Sequence, residues 1–431
     1  MRHRPAFLRL FPARLRLLST PATLLFVLRW VLLSGLVGVA AGSASALFLV
    51  ALERVTAWRE LHPWVLVLLP AAGFLIGLAY HHAGTLVGRG NNLILDEIQS
   101  PTTPVPLRLV PLVLGGTLLT HLFGGSAGRE GTAVQMGAAL ADQLPRPLRL
   151  RPRDRRLLLL AGMSAGFASV FGTPLAGAVF GLEVVRLGTI RYEALLPAFL
   201  AALSADFVTR AWGVGHTHYP QLAVLPITPA GMGWALLAAA LFGLTARSFA
   251  TLTHWLSRQF ARISYPPLRP VVGGVLVVAA VGALGTTRYI GLGVPVIEAA
   301  FGAPLPPHDF LLKLGLTALT LGCGFKGGEV TPLFFMGATL GSALAVVVPL
   351  PVALLAAMGF VGVFAGAANT PLACLLMGLE LFGTPAGGYL ALACVVAYLF
   401  SGHRGIYSAQ LIGQAKHLRL GRQQGKRLGE L

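Results

Sequence analysis

Apolar runs recur from one end of this chain to the other, and they fix its solvent before anything else. Leu24 to Leu52, Pro63 to Tyr80, Leu107 to Leu122, Gly231 to Leu252, Val271 to Leu284 and Leu340 to Val363 are nearly free of charge. Each reads as a stretch able to cross hydrocarbon about 30 Å thick, and about ten or more helical segments are expected in all. With 55% hydrophobic and 11% charged residues among 431, no soluble domain fits. The 53 glycines and 29 prolines are too many for plain spanning helices. They predict broken helices whose interrupted ends line a cavity buried in protein, the build of a transporter or channel.

The net charge of +18 could suggest a nucleic-acid partner, but the arginines sit at membrane edges. They cluster over Arg2 to Arg16, Arg146 to Arg156 and Arg404 to Arg427. The positive-inside bias accounts for them without nucleic acid and puts both termini in the cytoplasm. Arg2 to Ser19, with arginines among apolar residues, reads as an amphipathic helix on the inner leaflet. A signal peptide is the weaker reading, since no small-residue cleavage site follows. The three cysteines, Cys323, Cys374 and Cys394, lack metal or disulfide spacing, as do His81, His82, His216 and His218. No metal or cofactor is implied.

One acid stands out against this background. Gly124-Gly125-Ser126-Ala127-Gly128-Arg129-Glu130-Gly131-Thr132 places a carboxylate among glycines in an apolar chain, and such a group ordinarily faces an ion or proton route. Helix periodicity resumes at Ala133. Backbone N–H groups at that helix start could meet an anion beside Glu130, so carboxylate and anion would compete for one spot.

The chain also repeats. Thr173-Pro174-Leu175-Ala176-Gly177 through Glu183 returns about 200 residues later as Thr370-Pro371-Leu372-Ala373-Cys374 through Glu380. Upstream of each copy, Gly124 to Thr132 is echoed by Gly324 to Pro332. Two related halves with glycine-interrupted segments at matching positions point to a substrate site where the repeats meet. The expected layout is an N-terminal segment over 1–20, membrane repeats over 21–210 and 231–402, a linker over 211–230, and a basic tail over 403–431.

These residues resemble the CLC family of chloride channels and proton-coupled anion transporters. The family's three anion-facing motifs correspond to Gly88-Arg89-Gly90-Asn91-Asn92, to Gly128-Arg129-Glu130-Gly131-Thr132 and to Gly328-Glu329-Val330-Thr331-Pro332, with Tyr407 at the place of its anion-contacting tyrosine. Three departures stand out: Asn91 for isoleucine, Thr132 for proline, and Arg89 for the chloride-contacting serine. They resemble the bacterial fluoride-exporting branch, in which an asparagine in the first motif and threonines in the second and third accompany fluoride selectivity. The resemblance implies an all-α polytopic membrane protein of two inverted-topology repeats meeting at a midplane anion site. It further implies a fluoride/proton antiporter of a bacterial inner membrane, working as a homodimer in lipid.

Carried over, Glu130 is the gating and proton-transferring carboxylate, with Thr331 and Thr132 as its partners. Asn91, Tyr407, Arg89, Gly90, Gly131, Glu329 and Val330 are the anion-binding positions. Asn91 and Tyr407 offer the compact donors that a small, strongly hydrated fluoride needs, where isoleucine offers none. Many CLC antiporters carry a second, inner glutamate that here is Val184, after Glu183; fluoride exporters of the family lack it as well. Glu183 could substitute for that inner relay, but its twin Glu380 in the other repeat favours structural acids bonding buried backbone for both.

Other expectations are narrower. Arg89 could attract anions or be held by Asp96 or Glu97. Lys326 and Glu329 could form a local ion pair that leaves only backbone N–H groups for the anion. Thr331 suits a helix cap ahead of Pro332, and Tyr407 suits an aromatic anchor at the membrane surface. A chloride/proton antiporter and a passive anion channel are the alternatives within the family. From another class, Ser126 near His121, and Ser164, sit in G-x-S-x-G patterns that would suit an intramembrane serine hydrolase, though neither follows a strand.

Overall fold

The computed structural model describes residues 11–431 apart from 224–225; for residues 11–22 and 85 it describes the backbone alone. Of the amphipathic segment expected over Arg2 to Ser19, residues 2–10 lie outside the described residues and 11–19 open the first helix. The first half comprises α1 (Phe11–Leu61), α2 (Leu69–Ala83), α3 (Thr85–Gly88), α4 (Asn91–Gln99), α5 (Leu109–Leu122), α6 (Glu130–Ala141), α7 (Pro152–Phe171), α8 (Pro174–Glu183), strand β1 (Arg186–Leu187) and α9 (Leu195–Ala211). The second comprises α10 (Pro229–Phe260), α11 (Leu268–Leu284), α12 (Val294–Ala299), α13 (Asp309–Gly322), α14 (Val330–Leu344), α15 (Val352–Ala368), α16 (Pro371–Phe382) and α17 (Gly387–Phe400), followed by β2 (Leu411–Ile412). The order of long, short and broken helices repeats. β2 pairs in parallel with β1, tying the tail to the first half.

Among the described residues, four helices are long and apolar enough to cross a bilayer alone: Thr23–Leu61, Pro63–Ala83, Tyr192–Ala211 and Pro229–Phe260. The other apolar helices run 10–17 residues. At about 1.5 Å per residue these fall short of a full crossing, as broken helices must. Three of the apolar runs read from sequence need correction on this point. Leu107 to Leu122 yields α5, only 14 residues long, and Val271 to Leu284 lies in α11, 17 residues long. Leu340 to Val363 is divided between α14 and α15 at a turn holding Pro349 and Pro351, which end one helix and begin the next.

Close helix contact comes from glycine at matching places. A Cβ on Gly137 of α6 would stand 2.3 Å from the Gly162 carbonyl of α7, and one on Gly337 of α14 would stand 2.0 Å from that of Gly359 in α15. Neither pair tolerates a side chain. Without a hydrophobic drive between helices in lipid, such backbone contact is what holds them together.

The halves interlock twice. Glu183, ending α8, accepts the N–H groups of Leu372 and Ala373 at 3.1 and 2.9 Å in the first turn of α16. Glu380, near the end of α16, accepts those of Leu175 and Ala176 at 3.0 and 2.9 Å in the first turn of α8. Each acid satisfies orphan donors of the other repeat's helix, the structural role expected of both. At the glycine loops, Gly128 and Gly328 exchange N–H to carbonyl bonds of 2.6 and 2.8 Å in an antiparallel bridge. The two loops run antiparallel at that seam, as inverted-topology repeats would have them.

Candidate anion and proton site

Helix α6 begins at Glu130, earlier than the Ala133 that periodicity indicated, so the acid stands on the first turn itself. Its side chain is wholly buried and crosses the seam. One carboxylate oxygen accepts a hydrogen bond from the Thr331 hydroxyl. The other accepts the backbone N–H groups of Thr331 and Arg129, each at 3.1 Å. The Arg129 guanidinium lies 3.7 Å away. An ionised carboxylate is thus held by N–H and O–H donors from both repeats at the meeting of two helix N-termini, where partial positive charge gathers.

Two spaces flank this contact. Glu130, Thr331, Phe334, Thr217 and Tyr219 line a crevice of about 20 Å³. Asn91, Tyr407, Glu329, Lys326 and Gln135 line a cavity of about 240 Å³. No residue lines both, and Glu329 borders one where Thr331 borders the other, so the first turn of α14 divides them. Gly131 stands at that divide: a Cβ there would be 3.2 Å from Asn91 Nδ2 and 3.6 Å from Glu329 Oε2.

The positions expected to contact an anion fare differently. Asn91 opens α4 behind Gly90, whose φ of 53° and ψ of −127° suit glycine alone. Neither the Asn91 amide nor the Tyr407 hydroxyl has a hydrogen-bond partner among the described residues, and both line the larger cavity. Their donors are free. Gly131 and Val330 belong to first turns, whose N–H groups find no acceptor within their own helices. Glu329 Oε2 is buried without a partner.

Gly90 is different, since its N–H is spent on the Val87 carbonyl at 3.3 Å.

Three expectations need correcting. The Arg89 guanidinium is held by Asp96, which also binds Arg427 at 2.8 Å, so this cation belongs to a clasp between α4 and the tail. The Thr132 hydroxyl does not reach Glu130; it pairs with the Thr117 hydroxyl at 2.7 Å, inside its own repeat. Lys326 and Glu329 form no ion pair: the Lys326 ammonium lies 4.2 Å from the centre of the Tyr80 ring. Spacing of three residues brings side chains together only within a helix, and α14 starts after both.

Sequence reasoning missed Tyr219, Gln135 and Tyr80. Tyr219 is wedged among Phe301, Phe360 and Phe382 beside Glu130, and comes from a linker without periodicity. Gln135 was visible as the lone amide of an apolar helix. The hydrolase alternative finds no support in geometry. Ser126 Oγ donates to the Tyr289 carbonyl at 2.8 Å and meets the Thr317 hydroxyl, while His121 Nε2 contacts the Gly128 carbonyl at 3.3 Å. Ser164 Oγ is bonded to the Ala178 carbonyl. Among the described residues no base is bonded to either serine.

Behind the site, a charged clasp joins the far ends of the two helices that start at Asn91 and Glu130. Arg155 of α7 binds Asp142, just past α6, at 2.6 Å and Glu97 of α4 at 3.0 Å. Both helices are thereby fixed to one guanidinium.

Comparison with known proteins agrees with this geometry. Residues 72–402 match the family described as voltage gated chloride channel. A chloride/fluoride channel protein of Pseudomonas syringae pv. tomato is 57% identical over 91% of this chain and 89% of its own length. The crystal structure of a CLC-type fluoride/proton antiporter superposes with a TM-score of 0.86 at 38% identity, over 89% of this chain and 97% of the other. A slow cyanobacterial chloride/proton antiporter, at 20% identity and a TM-score of 0.74 over 86% of this chain and 94% of its own, shares the fold.

Proposed function

The chain belongs to the voltage-gated chloride channel family, and on that premise we propose that it is a fluoride/proton antiporter exporting fluoride from the cytoplasm of a bacterial cell. One observation carries the reading: the Glu130 carboxylate occupies donors at the seam, next to the unpartnered donors of Asn91 and Tyr407. Ionised, it holds the Thr331 N–H and hydroxyl and closes the divide between the two spaces. Protonated, it loses the charge that holds it and turns away, leaving those donors to a small anion. Proton and fluoride thus use the site by turns. Weakly acidic hydrogen fluoride enters through lipid and dissociates in the more alkaline cytoplasm, so export needs a driving force. Protons entering through Glu130 supply it.

The basic clusters of residues 146–156 and 404–427 support a cytoplasmic side for the larger cavity, with its Arg89 and Ile406 wall. Both termini then lie in the cytoplasm and the Tyr219 crevice faces outward. Membrane lipid covers most of the exposed apolar surface. A contiguous face on α8, α9 and α16, with Leu175, Phe199, Leu203, Phe207 and Leu372 exposed, is where a second copy packs to give a homodimer with one pathway per subunit.

Efflux from fluoride-loaded proteoliposomes tests the reading. Release should drive proton movement, and chloride should be carried far more poorly. Equal fluoride and chloride rates would reject the fluoride assignment in favour of a chloride/proton antiporter of the same family. Release without protons would leave a passive channel.

A further inference from the structure

The larger cavity contains a cation that the exchange at Glu130 does not use. Lys326 lies in the loop before α14, and its side chain enters the cavity beside Tyr80, with Nζ 4.2 Å from the ring centre. Its stem rests on Gly116 of α5, where a Cβ would stand 3.0 Å from Lys326 Cγ. The glycine makes the room that the lysine fills.

Among the described residues this ammonium has no hydrogen bond and no ion pair. Other cations are engaged elsewhere. Arg89 is held by Asp96, and Lys313 gives its protons to the carbonyls of Tyr289 and Gly291 at 3.1 and 2.7 Å. Lys416 gives its own to Tyr398 and Ser401. A ring face answers only one side of an ammonium, which carries three donors. The remaining donors face a cavity whose walls also carry the free Asn91 amide, the free Tyr407 hydroxyl and the Glu329 carboxyl. Among the other polar wall groups, His254 is bonded to the Gly405 carbonyl at 2.8 Å.

We infer that Lys326 is the counter-ion of an anion-loading site in this cavity, which holds the anion before it passes to Asn91, Tyr407 and the place vacated by Glu130. The inference rests on the transport reading above and assigns a further specificity-determining residue to it. A compact ammonium suits a small, hard anion such as fluoride better than a delocalised guanidinium does. The site acts on affinity from the cavity side; Lys326 touches neither Glu130 nor its partners, so it leaves the exchange of proton for anion intact.

The test is Lys326→Met and Lys326→Arg in proteoliposomes, with efflux rates at graded internal fluoride and proton movement recorded together. Lys326→Met should raise the half-saturating fluoride concentration about tenfold or more, with the fluoride-to-proton ratio unchanged. Lys326→Arg should recover part of the loss. Direct fluoride titration of the purified variants by calorimetry, after gel filtration has shown intact protein, should give the same order of affinities. An unchanged half-saturating concentration in Lys326→Met, or a changed coupling ratio with unchanged affinity, overturns the loading site. Should the unmodified protein carry chloride instead, the fluoride reading fails while the same rise is expected with chloride. If it carries no anion, both fail.

Discussion

The loops Gly124–Thr132 and Gly324–Pro332 lay the same backbone on the two sides of the Gly128–Gly328 bridge, and nearly every side chain they carry differs. Glu130 stands opposite Val330 in sequence register, Arg129 opposite Glu329, Ser126 opposite Lys326. Ser126 is bonded to the buried Tyr289 carbonyl, whereas Lys326 opens to a cavity. The Glu183 and Glu380 clasp shows the reverse pattern, since both repeats keep the same acid and spend it on the same two N–H groups of the partner helix. Where duplication has been kept, the residues hold the frame. Where it has been broken, one repeat supplies an acid and the other supplies the donors that receive it. Inverted symmetry is what brings the two helix starts face to face, and its local loss is what gives the meeting point a buried carboxylate.

The sharpest way to break this comparison is to remove the acid that one repeat alone possesses. Glu130→Gln keeps the shape but cannot ionise. Proton movement coupled to fluoride should vanish entirely while anion flux persists, as read by external pH in fluoride-loaded proteoliposomes. Residual coupled proton flux would mean that another group carries the proton.

Next comes the clasp that both repeats share. Glu183→Ala and Glu380→Ala each leave two helix-start N–H groups without an acceptor, costing about 2–4 kcal/mol apiece, with Glu183 the larger because it is the more buried. Thermal unfolding in detergent measures both. Full stability with loss of proton coupling in Glu183→Ala would turn a frame residue into a relay and undo the division between kept and broken symmetry.

Smaller effects are expected where donors serve the anion. Asn91→Ile removes an amide that bonds nothing else among the described residues, so preference for fluoride over chloride should drop about tenfold with little change in stability. Unchanged selectivity in competitive efflux would show that this amide only shapes the cavity. Thr331→Val should slow fluoride about fivefold, since its hydroxyl is released to the anion when Glu130 leaves while its N–H remains.

Much of this was legible in the residues themselves. Hydropathy exposed the membrane setting, the repeat exposed the paired halves, and an isolated acid among glycines marked Glu130. The turn between α14 and α15 was hidden because Val346, Val347 and Val348 are as apolar as the helices on either side; only Pro349 and Pro351 marked it. The start of α6 was hidden by glycines, which carry no periodicity. Lys326 and Glu329 looked like a pair because three residues separate them, a spacing that means contact only once a helix exists. Tyr219 could not be placed from sequence, since its position beside Glu130 depends on a linker folding over the second repeat's phenylalanines.

The finest test separates two threonines that look alike in sequence. Thr132 stands two residues after Glu130 and Thr331 stands in the loop across the bridge, and both read as gate partners from sequence. Thr331 crosses the seam to the carboxylate; Thr132 turns back to Thr117 of its own repeat. Thr132→Val therefore removes one buried hydroxyl pair and nothing at the gate. Stability should fall by about 0.5–1.5 kcal/mol, because the Thr117 hydroxyl is left buried without its partner. Fluoride rate, selectivity and coupling ratio should stay as they are. The double change Thr117→Val with Thr132→Val should recover most of the stability, since two apolar groups of the same shape replace two that need each other. If Thr132→Val instead slows fluoride as much as Thr331→Val does, the hydroxyl reaches the gate during turnover, and the seam is crossed from both repeats rather than one.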